Sequence, residues 1–215
     1  KCYKKVVEID PNHSYAWNKL GCCHENGKGT EKDATEAFKC YKKAVEIDSS
    51  DSIILYNIGD SYLHGKGTEK NATEAFKCFK KSVEIDPNHS YAWTNLGYCH
   101  LHGEGTEKNA TEAFNCYKKS VEIDPNNSYA WNNLGYCHET GNGTEKDATE
   151  AFNCYKKAVE IDQNNSVALN NLGWCYFKGK GTEVDKLKAK ELLSKALEIT
   201  PNDEDIKSLL KECDE

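Results

Sequence analysis

The tripeptide Glu-Ile-Asp returns every 38 residues along this chain, and no other feature of the sequence limits the fold so strongly. Copies lie at residues 8–10, 46–48, 84–86, 122–124 and 160–162, and Glu-Ile-Thr follows in the same register at 198–200. A period of this length is typical of repeat proteins, in which each unit buries its apolar side chains against its neighbours. The hydrophobic content of 38% is low for a single compact core but suits such a stack.

The period divides the chain into like units. We predict five full repeats, flanked by the second helix of a truncated repeat and by a C-terminal capping helix. The predicted bounds are 1–10 for the truncated repeat, 11–48, 49–86, 87–124, 125–162 and 163–200 for repeats 1 to 5, and 201–215 for the capping helix. Because the chain contains no Met and opens inside a repeat, we expect it to be a fragment of a longer protein.

Each repeat carries the pattern of two helices, which we name A and B. In the third repeat Trp93, Leu96, Gly97 and His100 have the i, i+3, i+4, i+7 spacing of one helical face. This helix A is expected to end near Gly103, because glycine adopts the left-handed conformation of a helix end without steric cost.

Helix B of the same repeat is predicted to begin after Asn109. An Asn with an acid three residues later, here Glu112, is typical of a helix N-terminus. Pro125 cannot extend this helix and therefore marks the start of the next unit. The sequence thus predicts a hairpin of two helices in every repeat.

These residues resemble a known family. The chain resembles the tetratricopeptide family in the pattern Trp93-x2-Leu96-Gly97-x2-His100, Ala113-x3-Tyr117 and Pro125. It resembles the Sel1-like variant of that family in the inserted turn Gly103-x-Gly105-Thr106. The resemblance covers essentially the whole chain. It implies an all-α fold, a right-handed superhelical α-solenoid of antiparallel helical hairpins with the A helices on the concave side. In this family that side usually receives a peptide or a helix of a partner protein.

A second stripe of helix A, distinct from its packed face, carries aromatic and amide side chains. We predict that a partner protein or peptide binds this concave stripe, which consists of Tyr15, Asn57, Tyr91, Asn95, Tyr98, Tyr129, Asn133, Tyr136, Asn171 and Trp174. An Asn amide can bond the backbone of an extended chain of any sequence, and Tyr and Trp supply rigid contact area. The alternative is that Asn is simply common at this point of tetratricopeptide-like helices.

The 11 cysteines fall mostly into two columns, one on each helix. One interpretation takes each Cys as a small buried hydrophobic residue, interchangeable with Ser61 in one column and Leu192 in the other. The other follows cysteine-rich bacterial relatives of the Sel1-like family, which do staple their hairpins. Its disulfides would be Cys2 with Cys23, Cys78 with Cys99, Cys116 with Cys137, and Cys154 with Cys175. We favour the first, because the second leaves Cys40 without a partner and the total odd.

Several other functions are disfavoured by the sequence. All 28 basic residues are Lys against 35 acidic ones, so we expect no nucleic-acid partner, because phosphate and guanine recognition relies on Arg. No run approaches the roughly 18 apolar residues of a membrane span, so we expect no membrane insertion. Cys99 and His102 share one helix face, but two ligands do not make a structural zinc site, so we expect no metal. We also expect no cofactor.

The sequence contains neither a phosphate-binding Gly loop after a strand nor a nucleophile elbow, so we do not expect an enzyme. We interpret the chain as a non-catalytic scaffold or adaptor for protein interactions, cytoplasmic and monomeric in isolation. The alternative is a secreted, disulfide-stapled relative that binds a ligand or a cell-surface component. The thiol state distinguishes the two.

Overall fold

The computed structural model describes residues 2–214, which form twelve α-helices and no β-strand. The helices are α1 (Cys2–Ile9), α2 (Ser14–Asn26), α3 (Ala34–Ile47), α4 (Ser52–His64), α5 (Ala72–Ile85), α6 (Ser90–His102), α7 (Ala110–Ile123), α8 (Ser128–Thr140), α9 (Ala148–Ile161), α10 (Ser166–Lys178), α11 (Lys186–Ile199) and α12 (Glu204–Asp214). Lys1 and Glu215, the outer ends of the predicted segments 1–10 and 201–215, lie outside the described residues. The predicted all-α class of helical hairpins is confirmed.

The even-numbered helices α2 to α10 are the A helices, and the odd-numbered helices α3 to α11 are the B helices. Their ends follow local chemistry. Helix α6 ends at Gly103, which has φ 74° and donates its N–H to the carbonyl of Cys99. Helix α7 begins after Asn109, whose side chain accepts a hydrogen bond from the N–H of Glu112 at 3.1 Å. Both helix ends predicted for the third repeat are therefore confirmed.

The chain divides into two compact units, residues 1–108 and 109–215. In the first unit, helix α2 packs on α3 and helix α4 on α5, and α3 and α5 each contact the A helix that follows. In the second unit, α8 packs on α9 and α10 on α11, while α12 packs on α11 and α10. Helix α12 thereby adds Ile206 and Leu209 to a core that also holds Tyr155 and Leu193.

The turns after helices α4, α6, α8 and α10 each dock on the B helix of the repeat before them. In the first unit, a Cβ at Gly67 would overlap the carbonyl oxygen of Ala34, which belongs to the first residue of helix α3. Gly67 also has φ 71°, a conformation that residues with a side chain rarely adopt. Close approach of backbone to backbone therefore fixes the turn, and it requires glycine for two independent reasons.

Aromatic rings recur where a B helix meets the next A helix. Edge-to-face pairs with ring centroids 5.2 to 5.4 Å apart join Phe38 with Tyr62, Phe76 with His100, Phe114 with His138, and Phe152 with Tyr176. Such pairs contribute about 0.5–1.5 kcal/mol beyond their buried area. His and Tyr thus share one packed position, on the helical face where the sequence pattern placed His100 with Trp93 and Leu96.

Candidate protein-binding surface

The predicted stripe lies on the A helices of both units, and its tyrosines are exposed. In the first unit they are Tyr15 on α2 and Tyr91 and Tyr98 on α6, and in the second unit Tyr129 and Tyr136 on α8. These five side chains are between 37% and 59% exposed. Each unit therefore presents aromatic surface to solvent on its A helices.

The tyrosines of the B helices behave in the opposite way. Tyr41, Tyr117 and Tyr155 are at most 1% exposed, and Tyr41 and Tyr155 fill the space beside helical glycines of the A helices. A Cβ at Gly135, for example, would lie 2.8 Å from the ring of Tyr155. The residue type alone therefore does not decide exposure, and only the helical register separates core tyrosines from those of the stripe.

Two of the four asparagines of the stripe are held by hydrogen bonds between neighbouring A helices. In the first unit, Asn57 Nδ2 donates to Asn18 Oδ1 at 2.7 Å, and in the second, Asn171 Nδ2 donates to Asn132 Oδ1 at 2.9 Å. The accepting amides of Asn18 and Asn132 are buried. The amides of Asn57 and Asn171 each donate into their own unit, so their orientation is fixed before any partner arrives.

The accepting asparagines Asn18 and Asn132 were not predicted, although for Asn132 a sequence feature pointed to the position. Asn132 directly precedes Asn133 of the stripe, and it also donates to Asn133 Oδ1 at 3.4 Å. Asn170 precedes Asn171 in the same way. The doublet indicates that two consecutive asparagines of one A helix contribute amides to this surface.

Charged groups flank the stripe at the ends of the A helices. In the first unit, Lys66 Nζ lies 2.7 Å from Asp60 Oδ2 and 3.4 Å from Glu25 Oε1. Burial lowers the pKa of Lys66, but the hydrogen bonds and charges of Asp60 and Glu25 together outweigh burial and leave the pKa raised. Glu25 Oε2 also accepts a hydrogen bond from Tyr41 Oη at 2.6 Å. The charge of Lys66 is therefore paired with two carboxylates of its own unit.

In the second unit the corresponding acid is Glu139, whose Oε2 accepts a hydrogen bond from Tyr155 Oη at 2.6 Å. Burial, and secondarily this hydrogen bond, raises the pKa of Tyr155. In each unit a lysine ammonium also lies over an aromatic ring of the stripe. Lys19 Nζ lies 5.1 Å from the ring centroid of Tyr15, and Lys178 Nζ lies 4.9 Å from that of Trp174.

The cysteines are mostly buried, and no disulfide joins them within the described residues. Seven are buried, three are half-buried and Cys2 is exposed. Burial raises the pKa of Cys99, Cys137 and Cys154 to about 12, so these thiols stay protonated at neutral pH. A protonated, buried thiol is a poor nucleophile and a poor metal ligand.

No group of three or more His, Cys, Asp or Glu side chains that could hold a metal ion occurs within residues 2–214. Over the same part of the chain, each helix falls short of the length and apolarity that crossing a membrane requires.

Comparison with known families matches most of the chain. The Sel1 repeat profile matches residues 14–49, 55–86, 90–124 and 166–198, and a tetratricopeptide repeat profile matches residues 116–150. Among curated proteins, no sequence matches the chain.

Solved structures share the fold. A Sel1 repeat protein from Oxalobacter formigenes is 29% identical and has a TM-score of 0.75, over 97% of this chain and 81% of that one. A protective antigen of uropathogenic Escherichia coli strains, with an SLR fold, is 23% identical with a TM-score of 0.70, over 97% of this chain and 42% of that one. YrrB, a tetratricopeptide repeat protein with an unusual peptide-binding site, is 21% identical with a TM-score of 0.59, over 98% of both chains.

Proposed function

Because the chain belongs to the Sel1 repeat family, we propose that it is a non-catalytic scaffold that binds an extended segment of a partner protein along the A-helix stripe. Repeat proteins of this kind generally mediate protein–protein interaction. The observation that supports the stripe as the binding surface is the exposure of its five tyrosines, in a protein that buries Tyr41, Tyr117 and Tyr155 almost completely. Tyrosine and tryptophan are enriched among the residues that dominate binding energy at protein interfaces.

The asparagines of the stripe add a polar component to this surface. Asn57 and Asn171 are only half-buried although one N–H of each is already bonded within its unit. An amide carries two donors and an acceptor, so the remaining groups can bond the backbone of a bound peptide. Because the amide is already oriented, little side-chain entropy is lost on binding. Aromatic contact would then provide affinity, and the amides would bind backbone without reading the peptide sequence.

The proposal includes a monomeric, cytoplasmic chain without a nucleic-acid partner. A net charge of −7 with no Arg disfavours a phosphate backbone as ligand. Buried thiols with raised pKa values, such as that of Cys99, suit a reducing compartment, where disulfides are rare.

The test begins with selection of peptides from a random display library against the whole chain. Binding of the enriched peptides is then measured by fluorescence anisotropy for the natural chain and for the double variant Tyr129→Ala with Tyr136→Ala. We expect the double variant to lose about tenfold or more in affinity, because interface residues of this type each contribute about 1–2 kcal/mol or more.

The matched control removes two exposed side chains from the B helix of the same unit. Lys118 and Lys119 of α7, named here the α7 lysine pair, are both changed to Ala. The affinity of this variant for the peptides is expected to stay unchanged. Circular dichroism checks that all variants remain folded. Loss of binding in the control with retention in the tyrosine variant would contradict the proposal, as would failure of any peptide to enrich.

A further inference from the structure

The last A helix and the C-terminal helix of the second unit enclose a pocket at the end of the stripe. It has a volume of about 380 Å³. Asn171 and Trp174 of the stripe lie in its wall together with Glu139 of α8, and helix α12 contributes Asp205 and Glu212. The pocket is therefore continuous with the proposed binding surface, but its chemistry differs from that of the rest of the stripe.

Negative charge distinguishes this pocket. Three of its lining side chains are carboxylates, and no lining residue is basic. Asp205 and Glu212 are exposed, while Glu139 is half-buried and its carboxylate is held by the hydroxyl of Tyr155 at 2.6 Å. Trp174 adds an aromatic face, which attracts cations through its ring quadrupole. Carboxylates beside an indole ring fit a basic side chain and repel an acidic one.

A cation of the chain itself already makes these contacts. Lys178, at the C-terminal end of α10, places its Nζ 4.9 Å from the ring centroid of Trp174 and 3.4 Å from Glu212 Oε2. The same ammonium lies 4.2 Å from the ring centroid of Phe177. Both ends of this contact are solvent-accessible, with 35% of the Lys178 side chain and 52% of the Glu212 side chain exposed. An exposed ion pair of this kind is weak enough for a competing cation to displace it.

We propose that this pocket receives a basic side chain, arginine or lysine, of the segment bound along the stripe, and that Lys178 occupies its cation contacts when no partner is bound. This inference rests on the proposed function and adds to it the chemical class of one partner residue. The planar guanidinium of arginine stacks on an indole ring and pairs with a carboxylate through two hydrogen bonds, so arginine is the better ligand of the two. The chain itself contains only Lys among its 28 basic residues, so the arginine would come from the partner.

The experiment uses small probes on the whole chain, so that it does not depend on a selected peptide. The probes are the N-acetyl amides of arginine, of lysine and of citrulline, the neutral isostere of arginine. Binding is followed through the indole N–H signal of Trp174 in ¹H–¹⁵N spectra, identified among the signals of the four tryptophans by a Trp174→Phe variant. We expect saturable shifts with arginine and lysine at dissociation constants on the order of millimolar, and no saturation with citrulline.

Three variants test the assignment of the contacts. Asp205→Asn with Glu212→Gln is expected to weaken arginine binding. Lys178→Gln is expected to tighten arginine binding about two- to fivefold, because it removes the competing cation, whose exposed cation–π contact has a strength that corresponds to that factor. The matched control Lys157→Gln, an exposed lysine of α9, is expected to leave it unchanged. Equal binding of citrulline and arginine, or unchanged or weaker binding in Lys178→Gln, would overturn the proposal.

Failure of this inference is distinguishable from failure of the proposed function. If selected peptides require Tyr129 and Tyr136 but tolerate citrulline in place of arginine, and the arginine probe does not bind, the pocket assignment is wrong and the stripe stands. If the arginine probe binds while the tyrosine variant binds peptides normally, the stripe is wrong.

Discussion

Docking of the turns on the preceding B helices predicts a difference between two chemically identical substitutions. Gly65 and Gly67 lie in the same turn of the first unit and have φ values of 67° and 71°. A Cβ at Gly65 would lie 3.0 Å from the flexible side chain of Lys70 and 3.4 Å from the nearest backbone atom, whereas a Cβ at Gly67 would overlap the backbone of Ala34. Substitution by Ala therefore imposes the same conformational cost at both sites but a steric cost against backbone at only one.

The magnitudes follow from these two costs. A left-handed conformation costs a residue with a side chain roughly 1–2 kcal/mol, so we expect Gly65→Ala to lower the free energy of unfolding by about that much. Overpacking adds about 1–3 kcal/mol where surrounding atoms cannot yield, and the obstructing atoms at Gly67 are backbone. Gly67→Ala is therefore expected to cost about 1–3 kcal/mol more than Gly65→Ala.

The assay is urea unfolding of the full chain, followed by circular dichroism, with the midpoint and the slope compared between variants. Gly103→Ala and Gly105→Ala repeat the comparison in the next turn of the first unit, where the φ values are 74° and 73° and only a Cβ at Gly105 would overlap backbone, that of Ala72. Equal costs for Gly65→Ala and Gly67→Ala would refute the reasoning. So would an excess that does not recur for Gly105→Ala over Gly103→Ala.

Three further predictions concern the helix ends, the thiols and the stripe. Asn109→Ala should lower the free energy of unfolding by about 1 kcal/mol in urea unfolding, while Asn109→Asp keeps the cap and should change it little. At pH 8 the buried thiols, including Cys99 and Cys137 with pKa values near 12, should react with Ellman's reagent only after unfolding. The unfolded chain should then yield 11 thiols without reductant, and fewer would favour the disulfide-stapled alternative. Asn95→Ala combined with Asn133→Ala should weaken the binding of selected peptides severalfold, as measured by fluorescence anisotropy. The proposed surface would be contradicted if this variant lost only a few tenths of a kcal/mol of binding free energy while a change of the α7 lysine pair abolished binding.

The fold was predictable because its determinants are local and repeated. The cap at Asn109 and the helix end at Gly103 depend on a few neighbouring residues, and the 38-residue period repeats them in register. The candidate surface was predictable only in outline. Its tyrosines follow from helical register, but the bond from Asn57 to Asn18 depends on how two A helices pack, which a single helix does not encode.

The acidic pocket could not be predicted, for a related reason. Asp205 and Glu212 belong to α12, which lies outside the 38-residue period, so comparison with the other repeats does not predict where this helix packs. Its apolar residues indicated a closing helix. Only tertiary contacts bring its carboxylates beside Trp174 and Glu139.

The backbone contact between Gly67 and Ala34 bears on how such a chain can grow. Because the junction between repeats uses a main-chain carbonyl and a residue without a side chain, a duplicated segment of 38 residues carries both halves of the junction with it. A new copy can therefore join the array without compensating mutations in its neighbours. Its stripe positions are then free to diverge, as Ile53 and Val167 have done at the position that Tyr91 and Tyr129 occupy in other copies. Lengthening the protein and altering what it recognises thus become separate evolutionary steps.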